Sequence, residues 1–155
     1  MRFTSYLSYL VGFSLIYLSV YIAEGSHFNI LVFWDLSSAL VILAGILITF
    51  INFHFSEVFN AFKDSLSAQK NESFIERSEI SKIVIKSMSN YIMYFSIFSF
   101  AISMIMSLGN METTQQLGNS IAVSLLVIIY AVIAKFVVLS PLYISIEKKL
   151  LDSNK

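Results

Sequence analysis

The chain has 155 residues, of which 57% are hydrophobic and 13% charged, with ten basic and ten acidic side chains, no cysteine and a mean hydropathy of +0.77. Water-soluble domains carry about 25% charged residues, so this composition excludes an ordinary soluble domain and points to an integral membrane protein. Zero net charge without a block of like charges excludes nucleic acid as an electrostatic partner, and the absence of cysteine excludes a disulfide frame or a thiolate metal site.

Four apolar runs follow one another, at about residues 6–22, 36–53, 91–108 and 118–142. Each is long enough to cross a bilayer as a helix, and a helix satisfies its own backbone there. The expected fold is an all-α integral membrane protein with four transmembrane helices in a single membrane domain, 1–155. Arg2 and a following apolar stretch resemble a signal peptide. The run is longer than a signal core, however, and reaches Tyr21-Ile22-Ala23-Glu24 without a small-x-small cleavage site, so it is read as a retained helix.

Orientation follows from the basic residues. Arg2 precedes the first run, Lys63, Lys70, Arg77, Lys82 and Lys86 lie between the second and third, and Lys148, Lys149 and Lys155 follow the fourth. The connections from Ala23 to Asp35 and from Gly109 to Leu117 hold Glu24, Asp35 and Glu112 but no Lys or Arg. By the positive-inside rule both termini and the middle loop are cytoplasmic.

Every run has a small or polar face. In the first, Ser5, Ser8, Gly12 and Ser19 recur at helical spacing; in the second, Ser38, Gly45, Thr49 and Asn52; in the third, Ser96, Ser99, Ser103 and Ser107, extended backward by Ser89. Small residues at such spacing allow close helix packing in membranes, and the same stripe could instead line a wetted or partner-facing lumen. Packing is the simpler reading.

The loop between the second and third runs reads as a short helical hairpin, about 55–88. Phe55, Val58, Phe59, Phe62 and Leu66 form an apolar stripe, with Glu57, Asn60, Lys63 and Asp64 away from it. Ser67 to Ser73 reads as a turn, after which Ile80, Ile83 and Val84 resume helical spacing toward the third span. The alternating charges Glu72, Glu76, Arg77, Glu79, Lys82 and Lys86 are most simply a solvated face, with a contact surface for a cytoplasmic partner as the alternative.

The last run, Leu117 to Leu142, opens near Gly118 and closes on the only proline, Pro141. Ser120, Ser124, Val127 or Ile128, Ala131 and Lys135 share roughly one side of it. Lys135 lies six residues before Pro141, about 9 Å along a helix, within reach of the headgroups for a snorkelling side chain; the alternative is a basic ring at the inner mouth of a lumen. No Asp or Glu lies inside a span, so the chain alone has no intramembrane carboxylate to load and unload a proton. His27 and His54 stand near opposite faces, and no nucleophile is paired with a base, so no enzyme activity, metal or cofactor is expected.

Several segments resemble MotA-type flagellar stator subunits of the MotA, TolQ and ExbB superfamily. Phe33-Trp34-Asp35 followed by Leu36 to Gly45 is similar to the start of that family's second membrane helix, and Ile51-Asn52-Phe53 with Ser56 to Lys63 is similar to its exit into a cytoplasmic helix. In the last run Gly118, Ala122, Leu125, Leu126, Tyr130 and Pro141 fall on the family pattern, and Lys148-Lys149-Leu150 continues it. The resemblance implies a four-helix subunit of a homopentamer in the bacterial inner membrane. Its last two helices would line a lumen around a single-span partner that supplies an intramembrane aspartate, making Ser96, Ser99, Ser103, Ser107, Ser120, Ser124, Val127, Ile128, Ala131 and Lys135 lumen-lining candidates. The chain departs from the family in three places. Val127 and Ile128 stand where the family has a threonine pair, Asn90 and Tyr91 replace a proline near the third helix start, and the large cytoplasmic domain is reduced to the hairpin. The expected function is a subunit of an ion-motive-force-driven stator that transmits force through its partner; a non-conducting pentameric scaffold is the alternative.

Overall fold

A computed structural model describes residues 35–66, 72–109 and 114–153, together with positions 11, 12, 14, 15, 17–19, 21 and 22. The chain divides into two compact units, Met1–Trp34 and Asp35–Lys155. Of the expected first span, 6–22, eight positions lie outside the described residues, and the described ones are helical. The second unit comprises α1 (Leu36–Asn52), α2 (Phe55–Leu66), α3 (Glu72–Gly109), α4 (Thr114–Ile133), a π-helical turn (Ala134–Leu139) and α5 (Ser140–Ser153). Among the described residues there is no strand.

Local sequence sets the helix ends. The Asp35 carboxylate caps α1, accepting from the amide of Ser37 at 3.2 Å, the amide of Ser38 at 2.8 Å and the Ser38 hydroxyl, as an N-cap aspartate does for otherwise orphaned first-turn donors. At the other end Asn52 turns its amide back onto the Ile48 carbonyl at 2.9 Å, and Phe53 leaves the helix in extended conformation. The Glu57 carboxylate, in the first turn of α2, accepts from the His54 amide at 2.9 Å, half of a capping box. The axis of α2 is turned 111° from that of α1.

Two helices are long and apolar enough to cross a membrane, Arg77–Gly109 and the continuous stretch Leu117–Asp152, and the bent pair α1 and α2 forms a third candidate. The described residues are therefore all-helical, with two or three helices able to cross a membrane, as in a membrane protein. At 38 residues, α3 is about 57 Å long, much more than the roughly 30 Å of hydrocarbon. Its apolar part, 91–108, is continuous with an amphipathic first half that forms the second arm of the hairpin. Of the expected turn, Ser67 to Ser73, the residues Glu72 and Ser73 belong to α3, and 67–71 lie outside the described residues.

The small face of α1 is what brings it against α3. Ser38, Gly45 and Thr49 are buried, and a Cβ added at Gly45 would lie 2.7 Å from the Ile92 Cα. This is backbone-on-backbone packing that only glycine permits. The Thr49 hydroxyl donates to the Gly45 carbonyl at 3.0 Å, so no polar donor is stranded in the contact. Asn52, placed on the same face by spacing, is exposed.

The apolar core sits where the hairpin meets the tail, built by Val58 and Ala61 of α2, Val84, Ile85, Met88 and Ile92 of α3, Ala131 of α4, and Leu139, Leu142 and Ile146 beyond it. This corrects the reading of α2. Phe55, Phe59 and Leu66 point outward, at 72%, 64% and 67% exposure, whereas Asp64 is completely buried. The inward face is the small-residue face Val58, Ala61, Asp64 and Ser65. Of the expected stripe, Val58 is fully buried and Phe62 packs half-buried against the core, so the inward face takes in part of that stripe together with Ala61, Asp64 and Ser65.

Asp64 is tolerated inside because its charge is matched. Arg77 reaches it through two guanidinium nitrogens, at 2.9 and 2.5 Å, and the Ser81 hydroxyl donates at 2.9 Å. The bidentate geometry is the strong form of a carboxylate pair. From α5, Lys149 donates to the carbonyls of Asp64 and Ser65 at 2.6 and 3.0 Å, and the Ser145 hydroxyl donates to Ser65 at 2.6 Å. The tail thus caps the carbonyl end of α2, where a cation also meets the helix dipole favourably. A second link joins Lys82 to Glu147 at 2.8 Å. Arg77 and Lys82, read as part of a solvated face, are structural.

Candidate functional site

Beyond the hairpin core, α4 runs back along α3, and their serine faces meet. A cleft of about 400 Å³ is lined by Ser103, Met106, Ser107, Asn119, Ser120, Val123 and Ser124. Four of the ten lumen candidates, Ser103, Ser107, Ser120 and Ser124, are brought together here. Two hydroxyls turn back onto their own helices, Ser107 to the Ser103 carbonyl at 2.7 Å and Ser124 to the Ser120 carbonyl at 2.8 Å. This back-bonding is how serine satisfies its donor in an apolar setting. The cleft offers hydroxyl and amide groups that can hold water or a partner's polar side chain, and no group in it ionises near neutral pH.

The other candidates lie elsewhere. Ser96 is fully buried, and its hydroxyl has no hydrogen-bond partner among the described residues. Ser99 and Ile128 are half-buried. Val127 and Ala131 are buried inside the single chain, at 4% and 0% exposure. Asn119, which the serine spacing did not single out, joins the cleft because it precedes Ser120 at its edge.

Two residues that the resemblance picks out 95 positions apart are in direct contact. The Asp35 amide donates to the Tyr130 hydroxyl at 3.1 Å. Asp35 therefore uses its carboxylate to start α1 and its amide to fasten that start to α4. Gly45 fixes the same helix against α3, so α1 is held at both points by family-pattern residues. Gly118, in contrast, lies inside α4 with nothing within 4 Å of an added Cβ.

The end of the last span differs from a simple helix. Pro141 has no amide hydrogen and its ring crowds the carbonyl four residues back. The chain accommodates it by widening into the π turn, in which the Ser140 amide donates to the Lys135 carbonyl. The buried positions Ser124, Val127 and Ala131 are followed by Leu139, Leu142 and Ile146. The step from 131 to 139 is one residue longer than two α-helical turns, which is the extra residue a π turn absorbs. Proline therefore does not close the helix, which continues to Ser153.

No protein family matches the chain, and no curated protein is significantly similar to it. Function must be argued from the geometry.

Lys135 stands where the register slips. It is half-buried and lines a second cleft with residues of α3 and α5. Outside the apolar runs 91–108 and 118–142, the carboxyl of Glu147 is held below its usual range chiefly by the hydrogen bond from Lys82, and burial pushes the Lys149 ammonium down. Among the described residues no three His, Asp or Glu side chains gather as a metal site.

Proposed function

We propose that the chain is a MotA-like membrane subunit of an ion-motive-force-driven stator or channel complex. In this reading it has four transmembrane helices with both termini in the cytoplasm, sits in the bacterial inner membrane and assembles as a homopentamer. A single-span partner brings the intramembrane aspartate that this chain lacks, and the 55–88 hairpin is available to a cytoplasmic partner. The observation that carries the reading is the hydroxyl-lined cleft between α3 and α4, on helices whose apolar surfaces are otherwise largely exposed. Exposed apolar surface of that extent meets lipid or other subunits, and hydroxyls that cannot ionise suit a wall beside a partner's carboxylate better than a carrier site.

A second reading is favoured by Val127. At the place of a family hydroxyl it puts a buried apolar side chain, which suits a pentameric scaffold that does not conduct. The two readings separate by flux. The protein is co-expressed with a single-span protein that carries an intramembrane aspartate, reconstituted into liposomes and assayed for proton or sodium uptake under an imposed gradient. Conduction predicts uptake that falls when Ser103, Ser107 and Ser120 are changed together to alanine. A complex that forms but passes no ions supports the scaffold, and failure to form any complex removes both.

A further inference from the structure

The cleft beside the π turn has a composition unlike the rest of the membrane-facing surface. It measures about 380 Å³ and brings Lys86 and Asn90 of α3 together with Lys135 and Ser140. Neither lysine is in an ion pair among the described residues. Glu147, a carboxylate on the neighbouring stretch of α5, is already engaged by Lys82 at 2.8 Å, so it does not cancel their charge. The apolar side of the cleft is formed by Ile144, 40% exposed, and the half-buried Tyr143, with the core residue Leu139 behind them. The cleft therefore has a doubly cationic, hydrogen-bonding head and an apolar side.

We infer that this cleft binds the phosphate of an anionic phospholipid, with Lys86 and Lys135 on the phosphate oxygens and an acyl chain along Ile144 and the Tyr143 ring. Two unpaired ammonium groups facing one space repel each other and attract an anion. Asn90 and Ser140 add donors suited to phosphate oxygens. Basic clefts between helices at the membrane edge take such headgroups, and apolar walls favour an anion that carries its own acyl chain over a free one. The π turn is what makes the site. Beyond Leu139 the helix is offset by the one added residue, about 100°, which sets where Ser140 and Ile144 stand against α3; Lys135, at the start of the turn, keeps the side of Ala131. The cleft is formed within one chain, and the inference stands whether or not the stator reading does.

The test uses the full chain in detergent and native mass spectrometry of retained lipid, with phosphatidylglycerol and phosphatidylcholine offered in equal amounts. Phosphatidylglycerol is expected to be retained in preference. Each lysine near the surface contributes about fivefold, so K86Q/K135Q should weaken retention by about 25-fold, while K86R/K135R retains it and K63Q, on the exposed side of α2, leaves it unchanged. Circular dichroism establishes that the variants keep their helices, and the arginine pair retains a testable site if the glutamine pair unfolds. Equal retention of the two lipids, an equal loss in K63Q, or binding of inorganic phosphate without preference for the lipid would each overturn the assignment.

Discussion

Replacing Gly45 by alanine tests the closest contact in the fold. The new methyl carbon would stand 2.7 Å from the Ile92 Cα and 2.9 Å from both its amide nitrogen and its Cγ1. Unstrained carbon contacts lie at about 3.5–4.0 Å, so α1 must move away from α3 by on the order of 1 Å. Overpacking of this kind costs about 1–3 kcal/mol, against a gain of up to about 1 kcal/mol because alanine favours the helix over glycine. Gly118→Ala supplies the control, since it makes the same gain with nothing within 4 Å. The difference between the two variants isolates the clash, and it should be about 1–3 kcal/mol with G45A the less stable. Unfolding followed by circular dichroism in mixed micelles measures it. Truncating Ile92 to alanine should not restore G45A, because two of the three close atoms are backbone. Equal stability of G45A and G118A would refute close packing of α1 on α3.

Arg77→Ala should destabilise the protein by about 2–4 kcal/mol in the same assay, because it strands a fully buried carboxylate with, among the described residues, Ser81 as its remaining side-chain donor; D64L/R77L, which leaves no buried charge, should cost less. Tyr130→Phe removes the acceptor of the Asp35 amide and should cost about 0.5–1.5 kcal/mol, with no change in helix content. The Glu147 carboxyl has its folded value lowered from the ordinary 4.5 by Lys82. The stability from that pair is therefore present above about pH 4.5 and is lost as pH falls through the lowered value. Between pH 7 and pH 4, K82Q should lose less thermal stability than the unmodified protein, measured by melting in detergent.

Much of this architecture is legible in the sequence because apolar length and small-residue spacing act locally. The run from 91 to 108 and the trio Ser38, Gly45 and Thr49 fall where the structure has a long apolar helix and a packed face. The hairpin was legible as helix but not in its facing. The period of Phe55, Phe59 and Phe62 marks a stripe, and nothing in the period says whether that stripe meets protein or another phase. The small residues Ala61 and Ser65 beside Val58 carried the other signal, since close helix approach needs small side chains, and Asp64 lies three positions beyond Ala61 on that face. Its partner Arg77 stands thirteen positions on, in the next helix, at a distance no helical spacing encodes. The Asp35 to Tyr130 bond is likewise a product of tertiary placement. The π turn was half legible: Pro141 announces a disturbance, but only the shift of burial from Ala131 to Leu139 shows that the helix continues with an added residue. For the serines, the structure divides the residues marked by spacing into the open cleft of Ser103, Ser107, Ser120 and Ser124 and the buried hydroxyl of Ser96.

Central to the account is a subunit whose serine cleft and exposed apolar helices are completed by other chains in the membrane. The most direct measurement is the mass of the particle released from native membranes into lipid nanodiscs, with its components identified. The account predicts five copies of this chain together with a single-span protein that carries an aspartate in its membrane helix. A monomer in the bilayer with no such companion would contradict it.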